Sequence, residues 1–589
     1  MYLIPYGKGR TATAAWPLAR SFSTPVASGP AIIAQAGFDE DRLYLTVTVT
    51  GPWGSDGDRS WRYGDGLQVT ISPETGPVAS RYYTFGFSLT AGEPQRILVN
   101  RDGKWLLARE IPGTALEVEP IANGAVYRIS IDWETIPPLH GLIRQEIGLN
   151  ITYTGLVEGE NLYYQLVEDE HFDTELTNER RVAACRLGLV DPTELVIRSC
   201  RNRTHGGDGD DCDIRVAVWT PEPLRATVTL LARLGSEAIS VHTKPMQFQP
   251  GLRVFSHPWR SGSLPGGPYS LELRVKIQGE QVYRQDYPFF KLRAADLQTL
   301  KERFRQAAAG PGAACAGSHP TIEARFDWLE QGRAALGPLE DPEGLRETWE
   351  ELKTMVGELA AGSDPLAGTV GYQRRAFRSS IDGTLQPYSV FIPGRLPGKE
   401  VPLLVMLHGS GVDEVRTARN PLLQAHLEER GWLLCAPQGR DLSGWYLGKN
   451  GLDVLEAIEA CQRTLPVDAE RIVLGGFSMG GFGTWLLGLA HRPRFRGLVV
   501  MSGRPDYPMD DSPEADPRCH LGQAEGLDIM VVHGDADRAC PVEATRDFVQ
   551  EVREHGARVT YVELPGAAHG NYDAWPEVFR WLDGLLGEG

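Results

Sequence analysis

Gly476-Phe477-Ser478-Met479-Gly480 is a G-x-S-x-G pentapeptide, and what flanks it decides the fold. Before it runs Arg471-Ile472-Val473-Leu474-Gly475, a short apolar, β-branched segment that reads as a buried parallel strand. After it, Gly481-Phe482-Gly483-Thr484-Trp485-Leu486-Leu487-Gly488-Leu489-Ala490 reads as a helix packed closely on a sheet. A serine between the two must take a sharp strand-to-helix turn. Glycines two residues before and after it let neighbouring backbone approach without a Cβ clash. The hydroxyl is then lifted above the sheet, beside the positive end of a helix. This predicts a doubly wound, mostly parallel α/β sheet with Ser478 as its nucleophile.

A serine hydroxyl needs a base to take its proton and an acid to orient that base. On a turn of this kind the chain order is Ser, then Asp or Glu, then His. Downstream, Leu527-Asp528-Ile529-Met530-Val531-Val532 reads as a buried strand leading into His533-Gly534-Asp535-Ala536-Asp537. Val559-Thr560-Tyr561-Val562-Glu563-Leu564 reads as a further strand, followed by the loop Pro565-Gly566-Ala567-Ala568-His569-Gly570. An acid and a histidine thus each follow a strand, where open α/β sheets place their ligands. His569 is the expected base. His408 and His491 stand in the wrong order, and His555 closes a helical stretch whose dipole it complements. Asp535 and Asp537 both fall in the acid loop, either of them able to serve or to brace a turn. His533 reads as a support for that loop.

Backbone amides must also meet the charge that develops on a carbonyl oxygen. The amide of Met479 is one expected donor. The second comes from His408-Gly409-Ser410-Gly411, the loop after the strand Val401-Pro402-Leu403-Leu404-Val405-Met406-Leu407, with Ser410 first and Gly411 next.

From about Arg375 to Leu586 the chain resembles serine esterases of the α/β-hydrolase superfamily. The nearest pattern is that of the phospholipase/carboxylesterase, feruloyl and acetyl-xylan esterase, and polyhydroxyalkanoate-depolymerase group. The resemblance rests on Pro466-Val467-Asp468-Ala469-Glu470-Arg471 leading into the serine turn, and on Ala436-Pro437-Gln438-Gly439-Arg440. Residues 533–541 resemble the His-Gly-x-x-Asp-x-x-x-Pro pattern of these enzymes, which implies that Asp537 rather than Asp535 is the acid. The resemblance implies a serine carboxylic-ester hydrolase without metal or organic cofactor. Prolyl-oligopeptidase-like peptidases share the motifs and are the rival reading, although too few residues precede the domain for a seven-bladed propeller. A glycan-binding scaffold with a defunct hydrolase domain is the second rival, and the ordered Ser, Asp and His argue against it.

In front of residue 366 the pattern changes. Arg42-Leu43-Tyr44-Leu45-Thr46-Val47-Thr48-Val49-Thr50 alternates as a half-buried strand does, and so do segments starting at Gly66, Val126 and Glu146. Residues 1–190 are expected to form a β-sandwich. Phe38 to Leu45, followed by Trp61-Arg62-Tyr63-Gly64-Asp65-Gly66-Leu67-Gln68, resembles carbohydrate-binding modules of the family-nine type. That implies sugar stacking on Trp53, Trp61 or Trp105, against the ordinary fate of a core tryptophan. Residues 191–293 alternate similarly, with the length and spacing of an immunoglobulin-like sandwich. Their acidic loop, Gly207 to Asp213, reads as a solvated turn, lacking the spacing of a calcium loop. Residues 294–365 shift to helical period, with Leu297, Leu300 and Phe304, then Ile322, Phe326 and Leu329, then Leu345, Trp349, Leu352, Val356 and Leu359 on single faces. They read as a helical spacer before a catalytic domain at 366–589.

The 589-residue chain carries a formal net charge of −18, which disfavours nucleic acid and anionic membranes as partners. No apolar run is long enough to span a bilayer, and Met1 to Lys8 shows no signal-peptide pattern. The reading is therefore cytoplasmic, with secretion only if a leader has been lost from the front. Eight scattered cysteines without C-x-x-C pairs read as separate thiols. The expected partner is an acyl ester, such as one linked to a polysaccharide, and the β domains leave room for a homo-oligomer.

Overall fold

A computed structural model describes residues 2–6, 15–17, 19–20, 30–51, 53, 65–76, 78–90, 93–101, 104–109, 111–143, 146–157, 160–166, 182–188, 194–332, 342–410, 412–440, 444–506, 515–537, 539–569 and 574–587. The chain divides into two compact units, Met1–Gln298 with Gly332–Glu347, and Thr299–Gln331 with Thr348–Gly589.

The second unit is built on one eight-stranded sheet. Its strands are β1 (Gly371–Arg378), β2 (Leu385–Ile392), β3 (Val401–Leu407), β4 (Leu433–Pro437), β5 (Val467–Phe477), β6 (Gly497–Met501), β7 (Asp528–Gly534) and β8 (Arg558–Leu564). They lie in the order β1-β2-β4-β3-β5-β6-β7-β8. β1 and β2 pair antiparallel, and β2 meets β4 antiparallel. From β4 to β8 every pairing is parallel. Around the sheet stand α1 (Glu414–Ala418), α2 (Pro421–Arg430), α3 (Lys449–Thr464), α4 (Met479–Ala490), α5 (Val542–Glu554) and α6 (Trp575–Leu586).

Every residue of β3, β4 and β6 is buried, which is why these segments read as unbroken apolar runs. Alternate residues serve opposite faces. Leu403, Val405 and Leu407 pack with Val454 and Ile458 of α3, Phe482 and Trp485 of α4, and Phe548 of α5. Leu404 and Met406 pack instead with Leu423 and Leu427 of α2 and Val578 and Phe579 of α6. The chain leaves β3 for β4 on one side and returns as β5 on the other. That reversal opens a crevice at the carboxyl ends of β3 and β5.

β1 is an edge strand, and a helix covers it. On helix His319–Glu330, Thr321 Oγ1 accepts from the Ala376 amide at 3.1 Å and lies 3.3 Å from the Ala376 carbonyl oxygen. Arg325 donates to the Arg374 carbonyl at 3.1 Å and pairs with Glu351 at 2.7 Å. These parts of the helical segment read as a spacer are thus bonded into the second unit.

In the first unit a nine-stranded and a five-stranded sheet share one apolar core, to which Leu43, Leu45 and Val47 contribute from one sheet and Val69, Ile71 and Ile151 from the other. A three-stranded and a second five-stranded sheet share another, around Val216, Val228, Leu230 and Trp259. The expected boundary at 190/191 lies outside the described residues, as do Trp61 and the side chain of Trp105. Trp53 packs against the core and donates its indole N–H to Tyr127 Oη at 2.9 Å. In the acidic loop, Asp210 accepts from the Gly207 amide at 2.8 Å and pairs with Arg203 at 2.6 Å, a braced turn. All eight cysteines are free thiols. Among the described residues no helix is long and apolar enough to cross a membrane, and no group of His, Cys, Asp and Glu is placed to hold a metal ion.

Candidate active site

β5 ends at Phe477 and α4 begins at Met479, so Ser478 alone makes the turn between them, with φ 57° and ψ −118°. A side chain held in this region of backbone space costs of order 1–3 kcal/mol and persists only where the surroundings over-determine it. They do so here. The Ser478 amide donates to the Met501 carbonyl at 2.9 Å, and the Ser478 carbonyl accepts from Phe482 at 3.0 Å. A Cβ on Gly480 would stand 2.2 Å from the Leu407 carbonyl oxygen, so α4 starts in backbone contact with the end of β3.

The three side chains expected from the sequence are brought together at the carboxyl ends of β5, β7 and β8. His569 Nε2 lies 3.0 Å from Ser478 Oγ, and His569 Nδ1 lies 2.7 Å from Asp537 Oδ2. The carboxylate can only accept, so the proton sits on Nδ1 and the Nε2 lone pair faces the serine. All three residues are buried, at 9%, 5% and 6% relative exposure for Ser478, Asp537 and His569. Burial alone would raise the Asp537 carboxyl. Hydrogen bonds from His533 and His569, and from the Cys540 amide at 2.8 Å, outweigh it and hold the group well below the ordinary carboxylate range. The phenyl ring of Phe477 packs on the His569 imidazole at 4.9 Å.

Asp535 does different work. It accepts from the Gly566 amide at 2.5 Å, while its own amide donates to Leu564 and that of Ala536 to Ala567. The loop after β7 is thereby stitched to the loop that carries His569. His555 Nδ1 bonds the Glu551 carbonyl at 2.8 Å, at the end of α5.

On the other flank, Gly409 lies beside the nucleophile, where an added Cβ would stand 3.5 Å from Ser478 Cβ. His408 steadies this loop, with Nε2 2.8 Å from the Gln438 carbonyl and its own carbonyl accepting from Tyr446 Oη at 3.0 Å. Ser410 follows and is half-buried, and Gly411 lies outside the described residues. The Met479 amide is in the first turn of α4, where a helix offers N–H groups no internal partner. Tyr446 and the Cys540 amide were not singled out from sequence. Tyr446 has φ 58°, a left-handed conformation that no residue type there announces. Arg440 lies in the loop after β4 and pairs with Asp382 at 2.6 Å and Asp453 at 2.9 Å.

Such an array can take a proton from the hydroxyl as it attacks an acyl carbon. The sequence profile of the phospholipase/carboxylesterase family matches residues 450–575, the stretch from α3 to the start of α6. Esterase LipC of Mycobacterium tuberculosis is 24% identical over 293 residues, covering 42% of this chain and 70% of that protein. Among solved structures, the fluorophosphonate-binding serine hydrolase FphF of Staphylococcus aureus aligns at 17% identity and a TM-score of 0.33, over 37% of this chain and 100% of the other. An S-formylglutathione hydrolase from Agrobacterium tumefaciens aligns at 14% identity and a TM-score of 0.33, over 37% and 95% respectively. The strand order of the sheet from Gly371 to Leu564, the serine turn and the family match agree on an α/β-hydrolase serine esterase, a carboxylic ester hydrolase.

Proposed function

We propose that Ser478 attacks the carbonyl carbon of a carboxylic ester while His569 takes its proton, with Asp537 holding the imidazole and stabilising its charged form. The observation that carries this reading is the continuous line from Ser478 Oγ through His569, at 3.0 and 2.7 Å, to a buried ionised carboxylate. The tetrahedral oxyanion is met by the amides of Met479 and Ser410, with Gly411 as the alternative to Ser410. His569 then protonates the departing alcohol, and water repeats the cycle on the acyl-enzyme. The scheme calls for no metal or organic cofactor.

The substrate we assign is an acyl ester carried on a polysaccharide. Supporting it are the strand-rich first unit, read as a carbohydrate-binding-module-like sandwich over 1–190 and an immunoglobulin-like sandwich over 191–293. Residues 294–365 join them to the catalytic domain at 366–589. This part of the reading rests on domain company.

The test is Ser478→Ala in the full chain, assayed on p-nitrophenyl acetate, ethyl ferulate, an acetylated xylan and a peptidyl amide. Turnover of the esters should fall by roughly four to six orders of magnitude. Undiminished ester hydrolysis would remove Ser478 from the mechanism, and a preference for the amide would turn the reading to a peptidase.

A further inference from the structure

Two imidazoles, not one, converge on Asp537. His533 in β7 is fully buried, and its Nε2 lies 2.8 Å from the Cys540 carbonyl oxygen and 3.3 Å from Asp537 Oδ2. Both neighbours are acceptors, so the hydrogen sits on Nε2 and is shared between them. His569 Nδ1 takes the same Oδ2 at 2.7 Å, and the Cys540 amide takes Oδ1 at 2.8 Å. His533 Nδ1 is enclosed without a hydrogen-bond partner. An orphaned ring nitrogen in the interior is a desolvation cost that leucine or phenylalanine at this position would avoid. Core packing therefore gives no reason for a histidine here. The N–H directed at Asp537 and Cys540 does.

We infer that His533 is a positioning residue acting through Asp537, fixing the carboxylate in the orientation that faces His569. The inference rests on the triad proposed above. It also has an electrostatic side. Both imidazoles help hold the Asp537 carboxyl down against burial. Other titratable groups stand around His533 among the described residues. The Cys540 thiol is pushed up to about 12, chiefly by burial, with the Asp537 charge adding to the shift and Arg504 opposing it. Glu563 stands in register with His533 on β8 and is paired with Arg546 at 2.6 Å.

Without its donor, Asp537 becomes more basic and draws the proton onto His569 more strongly. The base is then lost at a higher pH. His533→Phe removes the N–H at similar volume. His533→Asn keeps a polar group too short to reach the carboxylate. His533→Gln carries an N–H about as far out as Nε2. The readout is kcat/KM against pH for a p-nitrophenyl ester in the full chain, alongside thermal unfolding. We expect the acid limb of the Phe and Asn variants to move up by about one pH unit, with the plateau about tenfold lower. The Gln variant should recover the wild-type midpoint and most of the plateau. An unmoved midpoint in Phe and Asn, with unfolding temperatures lowered alike in all three, would leave His533 a packing residue and overturn the inference. A Gln variant as impaired as Phe would do the same. Failure of the triad itself shows elsewhere, as ester turnover surviving in Ser478→Ala.

Discussion

Gly480 stands where no side chain fits. A Cβ there would lie 2.2 Å from the Leu407 carbonyl oxygen and 2.9 Å from that of His408, both backbone atoms of β3 and its loop. Neither can rotate away as a side chain could, so an added methyl must push the start of α4 off the end of β3. Ser478 and the Met479 amide ride on that turn, two residues and one residue away. Displacing reacting groups by about 1 Å costs on the order of 100-fold in rate. Gly480→Ala should therefore lower kcat/KM on a p-nitrophenyl ester by about 100-fold, with the far-ultraviolet circular dichroism of the fold retained. Wild-type turnover in this variant would mean that the close approach of α4 to β3 is not what places the nucleophile. The same crowding accounts for the glycine on the other side of the pentapeptide, since a Cβ on Gly476 would meet the Gly480 carbonyl at 2.2 Å.

Among the elements, the loops after β7 and β8 behave as one piece, because Asp535 receives the Gly566 amide while Ala536 donates to Ala567. This separates the two aspartates by experiment. Asp535→Asn keeps an acceptor for Gly566 and should hold kcat/KM within about tenfold, whereas a triad aspartate changed to asparagine costs about 10⁴ in kcat. Asp535→Ala drops the stitch and should fall between these, through a loosened His569. A 10⁴-fold loss in Asp535→Asn would reverse the assignment of the acid. What could be read from the sequence follows the same division between local and distant causes. β7 and the later part of β5 carry apolar runs, Ile529 to Val532 and Ile472 to Leu474, β8 is rich in β-branched and aromatic residues, and the turn chemistry of Gly476 to Gly480 is written within five residues. The choice between Asp535 and Asp537 was not local and came only from resemblance. Nor was the burial of Arg375, 1% exposed and bonded to Gln373 and to Thr464 far along the chain. The cover that helix His319–Glu330 provides for β1 depends on Thr321 meeting the backbone of Ala376, which no periodicity encodes.

At the scale of the whole molecule, 77 acidic against 59 basic residues leave a formal charge of −18. A field of that sign opposes the approach of anionic substrates, and salt removes it. The screening length falls from about 30 Å at 0.01 M ionic strength to about 8 Å at 0.15 M. Steering of this kind changes encounter rates by about 10-fold to 10³-fold in strongly charged cases. A neutral ester, such as p-nitrophenyl acetate or an acetylated xylan, should show a kcat/KM that is flat over this range. An anionic counterpart of similar size, such as p-nitrophenyl hemisuccinate, should start lower and rise by about three- to tenfold as salt is added, with the change in KM rather than kcat. The distinction bears directly on the proposed substrate. A polyuronide presents many carboxylates at once and would be repelled more strongly than any small ester, so the same field favours esters on neutral polysaccharide. If the hemisuccinate shows no salt dependence, the potential at Ser478 is set by local groups rather than by the net charge. The net charge would then exert no selection between acidic and neutral polymers.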